Sequence, residues 1–127
     1  MSSADAGDAV DATTGPGTFD ARAAKSLTES MTVLDDRLEQ DLRDEEFRVY
    51  TSTGTYTVDA IAETCDCPDA LHRGARCKHQ RRVDYARGAV PIPGWVDRSA
   101  IDPQLGQHLS ASPRIATMDG RTEVFEA

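Results

Sequence analysis

Apolar positions along this chain fall into blocks of different period. In residues 20–46, Leu27, Met31, Leu34, Leu38 and Leu42 follow one another at spacings of four, three, four and four. That spacing lays a single apolar stripe on a helix, so an amphipathic helix is expected over 19–46, with Asp20 as its cap. The run Asp44-Glu45-Glu46 opposes the helix dipole and marks its end. The period then changes to two. Phe47, Val49 and Thr51 alternate, and Tyr56 and Val58 alternate after Ser52-Thr53-Gly54, which predicts a β-hairpin with a glycine turn. Around Ile61 the second strand either continues or bends away. Residues 81–87 read as a short helix ending at Gly88, with Val83 and Ala86 inside and Arg81, Arg82 and Arg87 largely outside. Two prolines flank Ile92, so VPIPGWVD is expected to be extended and anchored by Trp95, the only tryptophan. Residues 102–112 read as a loop. In the C-terminal extension, 96–127, Asp119-Gly120 between Ile115 and Val124-Phe125 is a weak hairpin signal. There is no internal repeat.

Residues 1–18 hold Ala, Asp, Ser, Thr and Gly with a lone Val10, and are expected to form a disordered acidic tail. A length of 127 residues, with 39% hydrophobic and 6% aromatic residues, fits one small domain plus tails and a modest core. No run of about 18 apolar residues is present, so a membrane-spanning helix is not expected. The first residues show neither a basic n-region nor an apolar h-region, so secretion is not expected and the cytoplasm is the expected location.

The formal net charge is −8, and Lys25 and Lys78 are the only lysines beside 12 arginines. Acidic surface, scarce Lys and abundant Ala, Asp and Thr resemble the composition of proteins adapted to high salt. At 1 M salt the Debye length is about 3 Å, so short-range contacts rather than net charge would decide what binds.

Cys65, Cys67 and Cys77 are the only cysteines, an odd number that argues against a disulfide framework. With His79 they form the pattern C-x-C-x9-C-x-H. Four such ligands make a closed tetrahedral site that suits Zn²⁺. In extended chain Cys65 and Cys67 project to one face, and Pro68 then turns the backbone. Cys77 and His79 belong to the turn entering the short helix, where the helix dipole and Arg73, Arg76 and Lys78 favour thiolate. A filled set of four leaves no position for a substrate water, so the site reads as structural. His72, inside the nine-residue loop, is the alternative fourth ligand. An iron–sulfur cluster is the alternative occupant, and three buried free thiols are the plain alternative. His108 is remote and reads as a loop residue.

The stretch Phe47–Gly88 resembles a SWIM-type zinc finger. The matching pieces are FRVYTSTGTYTVD, CDCPDALHRGARCKH and QRRVDYARG. The resemblance implies a finger over 47–95, with Cys65, Cys67, Cys77 and His79 as zinc ligands. It also implies binding of DNA or of proteins. Such fingers occur beside helicase-like ATPases and transposases, and in small partners of recombinase paralogues.

These readings give an α+β fold: a small zinc-binding domain with a β-hairpin and short helix, preceded by an amphipathic helix. In residues 71–87 six basic residues face Asp84 alone, a net of +5, so the rest of the chain carries −13 of the total of −8. Arg73, Arg76, Lys78, Arg81, Arg82 and Arg87 are therefore the candidate nucleic-acid-binding residues. The plainer role for these cations is to balance the thiolates, pair with Asp66, Asp69 and Asp84, or dock the acidic tail. No catalytic motif is recognisable, and a His72–Cys77 nucleophilic pair explains Cys77 less well than ligation does. The expected function is a non-enzymatic zinc-binding module that binds nucleic acid as a DNA adaptor or regulator. The alternative is a protein-interaction module partnering a recombinase-like or helicase-like ATPase through the 20–46 stripe or the Trp95 segment. Neither reading involves a membrane or a small-molecule substrate.

Overall fold

Asp20 opens the first helix, α1 (Ala21–Thr28), by accepting the Ala23 N–H at 3.0 Å. The computed structural model describes residues 19–74 and 76–126, so the tail expected over 1–18 lies outside the described residues. Amphipathic α1 does precede the sheet and buries Ala23 and Leu27, but it stops at Thr28 and does not run to residue 46. Residues Met31–Leu34 form strand β1 instead. The reason lies in two overlapping periods. Met31 belongs to the four-residue stripe, yet it also alternates with Val33, and both are buried while Thr32 and Leu34 are half-buried. The β-branched Thr32 and Val33 suit a pleated surface, and the neighbouring strand supplies backbone partners, so pairing overrides a weak helical preference. A single turn of helix, α2 (Arg37–Gln40), follows, capped by Asp36 and ended by Asp41 at φ +55°. Leu38, placed on the inward stripe by its spacing, is 95% exposed there.

The expected hairpin is present as β2 (Glu46–Thr51) and β3 (Thr55–Asp59). Phe47 opposes Val58 and Val49 opposes Tyr56. Thr51 closes the turn, donating its N–H to Gly54 O at 2.8 Å and accepting the Gly54 N–H on Oγ1 at 3.1 Å. The chain bends away after Asp59, whose Oδ1 accepts the Ile61 and Ala62 N–H groups. It returns as the two-residue strand β4 (Thr64–Cys65), giving an antiparallel sheet in the order β1-β2-β3-β4. Two helices follow. α3 (Pro68–Arg73) starts with proline at its first turn and ends at Gly74, φ +62°. α4 (Lys78–Ala86) carries the expected short helix, begun three residues earlier than its apolar pattern indicates. After it Gly88 takes φ +76°, and a Cβ there would meet Ser112 O at 2.4 Å, so only glycine fits.

α4 divides the interior in two. Val83 packs with Met31, Val33, Phe47, Val49, Val58 and the three cysteines on the sheet side. Tyr85 and Ala86 pack with Ala23 and Leu27 of α1 and with Ile92, Ile101, Leu105, Ile115 and Phe125. The C-terminal extension therefore completes a core. Its weak hairpin signal is realised as β5 (Arg114–Ala116) and β6 (Thr122–Val124), turned at Gly120 with φ +86°. Ile92, fully buried and bridged to Ile115, anchors the proline segment. Trp95 does not: it is 72% exposed and meets the Phe19 ring edge-on at 4.8 Å. Among the described residues no helix is long and apolar enough to cross a membrane.

Candidate metal centre

Each of the four predicted ligands stands at the end or start of an element. Cys65 closes β4, opposite Val58. Cys67 is the N-cap of α3, Cys77 is the N-cap of α4, and His79 lies in the first turn of α4. All four are buried, and their ligand atoms lie within 4.8 Å of one another. His79 turns Nδ1 inward, 3.9 Å from Cys65 Sγ and 3.8 Å from Cys77 Sγ. Metal–ligand bonds of about 2.3 Å to sulfur and 2.0 Å to nitrogen set tetrahedral ligand atoms about 3.6 Å apart. The cluster can thus close on one metal ion with small adjustments, and its donor set of three thiolates and an imidazole suits Zn²⁺. His72 is exposed on α3 and outside the cluster, and His108 is exposed in a left-handed loop conformation, φ +67°.

The surroundings favour thiolate at one of the three sulfurs. The Cys77 thiol is pulled down to about 4, first because the Cys65 S–H donates to its sulfur, then, against burial, by His79 and the Gln80 backbone N–H. Cys65 is pushed up by that same hydrogen bond and by burial, and Cys67 is pushed up chiefly by burial. A bound divalent ion would replace these protons and bring all three to thiolate. The loops are held from outside the cluster. Gln80 accepts the Cys77 N–H on Oε1 at 2.9 Å and donates from Nε2 to Glu63 O at 2.7 Å, tying α4 to the turn before β4. The Ala70 N–H donates to Cys67 Sγ at 3.4 Å. Tyr56 stacks on the His79 ring, with centroids 4.4 Å apart at 29°. Nδ1 faces the sulfurs, and Nε2, on the other side of the ring, is buried without a hydrogen-bond partner among the described residues.

The cations expected to form an outward patch separate into two groups. Arg82 is fully buried. It donates to Ser26 O and Glu29 O at 3.1 Å, to Met31 O at 2.8 Å and to Asp102 at 2.6 Å. Arg81 is also buried and reaches Asp20 at 3.3 Å, while Arg76, 11% exposed, pairs with Asp84 and with Glu63. The expectation that Arg81 and Arg82 face solvent is corrected here. α4 is the central helix, enclosed by α1 and the C-terminal segment, and carboxylates and helix-end carbonyls from both surround its guanidinium groups. Arg87 is half-buried beside Asp84. Arg73, with 74% of its side chain exposed, remains at the surface, and Lys78 is half-buried beside Glu29.

Arg73 and Lys78 line a cleft of about 380 Å³ that sequence reasoning did not find. Arg22 and Lys25 of α1 form its other wall, with Asp69 between, and Cys77 and His79 line it as well. No local pattern marks Arg22 or Lys25. They join the site only because Leu27 and Ala23 dock α1 on α4, and because Arg22 grips Asp69 with both carboxylate oxygens, at 2.8 and 3.0 Å. Compared with known protein families, characterised relatives and solved structures, the chain matches none.

Proposed function

We propose that this protein is a non-enzymatic, zinc-braced module of the SWIM finger type, and that the cleft beside its metal centre takes the phosphate backbone of a nucleic acid. The observation that carries this reading is the lining of the cleft: Arg22, Lys25, Arg73 and Lys78 against the single carboxylate of Asp69. Arg22 is engaged by Asp69, and Lys78 by Glu29 at 2.5 Å. Lys25 and Arg73 stand exposed at the rim, Arg73 with its Nε 3.9 Å from Asp69. Guanidinium and ammonium groups set on opposite walls suit phosphate oxygens. Cys65, Cys67, Cys77 and His79 would hold the zinc, which supplies a crosslink between β4, α3 and α4. That crosslink would fix Arg73 of α3 relative to Lys78 of α4, on which α1 is docked, so the wall of the cleft facing α1 depends on the metal. Such a protein would act as a DNA adaptor or regulator in the cytoplasm. The alternative, docking of an ATPase on the 20–46 stripe or the Trp95 segment, keeps only part of its surface: Leu27 and Met31 are buried internally, while Leu38 and Trp95 are exposed.

The test is binding of zinc-loaded protein to labelled single- and double-stranded oligonucleotides, in dilute buffer and in molar KCl. Lys25→Ala combined with Arg73→Ala should weaken binding about equally across sequences and flatten the salt dependence by about one charge per contact removed. No binding to either form of DNA at low salt would overturn the reading.

A further inference from the structure

Outside the metal centre and its cleft, the largest exposed aromatic surface belongs to Trp95. It opens on a groove of about 570 Å³ lined by Gly94, Arg98, Ala116, Thr117 and Met118, and Met118 is fully exposed. The segment is held tightly from below. A Cβ on Gly94 would meet Ala116 O at 2.5 Å, so its backbone lies directly against β5. The backbone beneath the indole is thus held against β5 while the indole itself is 72% exposed, an arrangement the core does not need, since Ile92 already anchors this stretch. The Phe19 ring meets Trp95 edge-on at 77°, which leaves an indole face open to a flat partner.

Its position matters more than its exposure. Phe19 runs directly through the cap Asp20 into α1, where Arg22 and Lys25 form one wall of the basic cleft. An aromatic platform and the basic cleft are therefore linked, through Phe19 and Asp20, at the N-terminal end of α1. We infer that the nucleic acid is single-stranded, with a base stacking on Trp95 while the neighbouring backbone runs into the cleft between Lys25 and Arg73. This inference rests on the cleft reading above and adds the class of strand. Stacking on an open indole is tolerant of sequence and requires unpaired bases, whereas a duplex would present only its backbone.

Because Trp95 is the only tryptophan, its emission reports on this contact directly. The zinc-loaded full chain is titrated with an oligo-dT of about 15 nucleotides, following Trp95 emission and, in parallel, the anisotropy of labelled oligonucleotide. Quenching should follow the anisotropy curve, and a duplex of the same length should bind more weakly without quenching. Trp95→Ala should weaken single-strand binding about tenfold with zinc content unchanged, and Trp95→Phe should retain most of the affinity. Single-strand binding by anisotropy without quenching, and unaffected in Trp95→Ala, would overturn the stacking inference and leave the cleft reading intact. No anisotropy change with either strand form would overturn both. A wild-type dimer in sedimentation that becomes monomeric in Trp95→Ala would instead assign the face to a second copy of this chain and overturn the inference.

Discussion

Arg82 Nη2 sits 2.6 Å from Asp102 Oδ2, with both side chains sealed from water. The same carboxylate oxygen accepts the Met31 N–H at 3.0 Å. Through this pair α4 is joined to the end of α1, the start of β1 and the 101–105 segment. Arg82 also satisfies Ser26 O, Glu29 O and Met31 O, which the chain leaves open where α1 stops and β1 begins. Removing one member of such a pair strands the other charge in the interior. Arg82→Ala and Asp102→Ala should each destabilise the protein by about 3–5 kcal/mol, and the double substitution by less than their sum. Urea denaturation of the zinc-loaded proteins measures this. A loss in Arg82→Ala no larger than that of an exposed arginine would show that the pair does not hold these elements.

The Asp102 carboxyl titrates below the ordinary carboxylate range. Burial pushes it up, but the Met31 N–H, Arg82 and the Gln104 N–H outweigh that. A group whose folded value is depressed adds stability that is complete above its unfolded value, about 3.9, and is lost as pH falls through the folded one. Asp69 is depressed in the same sense by Arg22. The stability difference between wild type and Asp102→Asn should therefore be constant near neutrality and shrink below about pH 4, zinc release being common to both. Thermal melts across the acid range test this. A difference that grows on acidification would contradict the assignment.

What could be read from the chain alone follows the range of the forces involved. The β2–β3 hairpin, the cysteine–histidine cluster and the existence of α4, though not its first turn, are local patterns, set by alternation, a turn glycine and the spacing of donors. β1 was hidden because Met31 and Leu34 fit a helical stripe as well as a strand, and only the edge of β2 decides between them. α3 went unread within the nine-residue loop, although Pro68 after a cysteine that caps it is a start signal. The inward turn of Arg81 and Arg82 depends on Asp20 and Asp102, 61 and 20 residues away. No local rule separates such arginines from surface ones. The same distance hid the cleft, whose α1 wall lies about fifty residues from Arg73 in the sequence.

Placement on the helices favours His79 over His72 as the fourth ligand. His79 faces the sulfurs from the first turn of α4, whereas His72 is exposed on α3. Cobalt substitution separates them, since a thiolate-rich tetrahedral site absorbs strongly and a site short of a ligand shifts or loses that absorption. His79→Ala should lower metal affinity by well over the roughly tenfold to hundredfold that loss of an outer partner costs. His72→Ala should leave both spectrum and affinity unchanged. An altered spectrum in His72→Ala with a normal one in His79→Ala would reassign the ligand.

A metal-bound imidazole usually has its second nitrogen held by a carboxylate or carbonyl, which sets tautomer and ring angle. In His79 that nitrogen has no such partner among the described residues. The ring is instead covered by Tyr56, stacked at 4.4 Å from the neighbouring strand. Orientation here is thus imposed by a face rather than by a hydrogen bond. A face needs the aromatic ring but not its hydroxyl. Tyr56→Phe should keep metal affinity close to wild type. Tyr56→Ala should weaken it on the order of tenfold, the lower end of what losing an outer hydrogen-bonding partner costs. Competition with a chromophoric chelator measures both variants, and far-ultraviolet dichroism confirms that the sheet is retained. Equal loss in Phe and Ala would mean that the hydroxyl, not the stacked ring, positions His79.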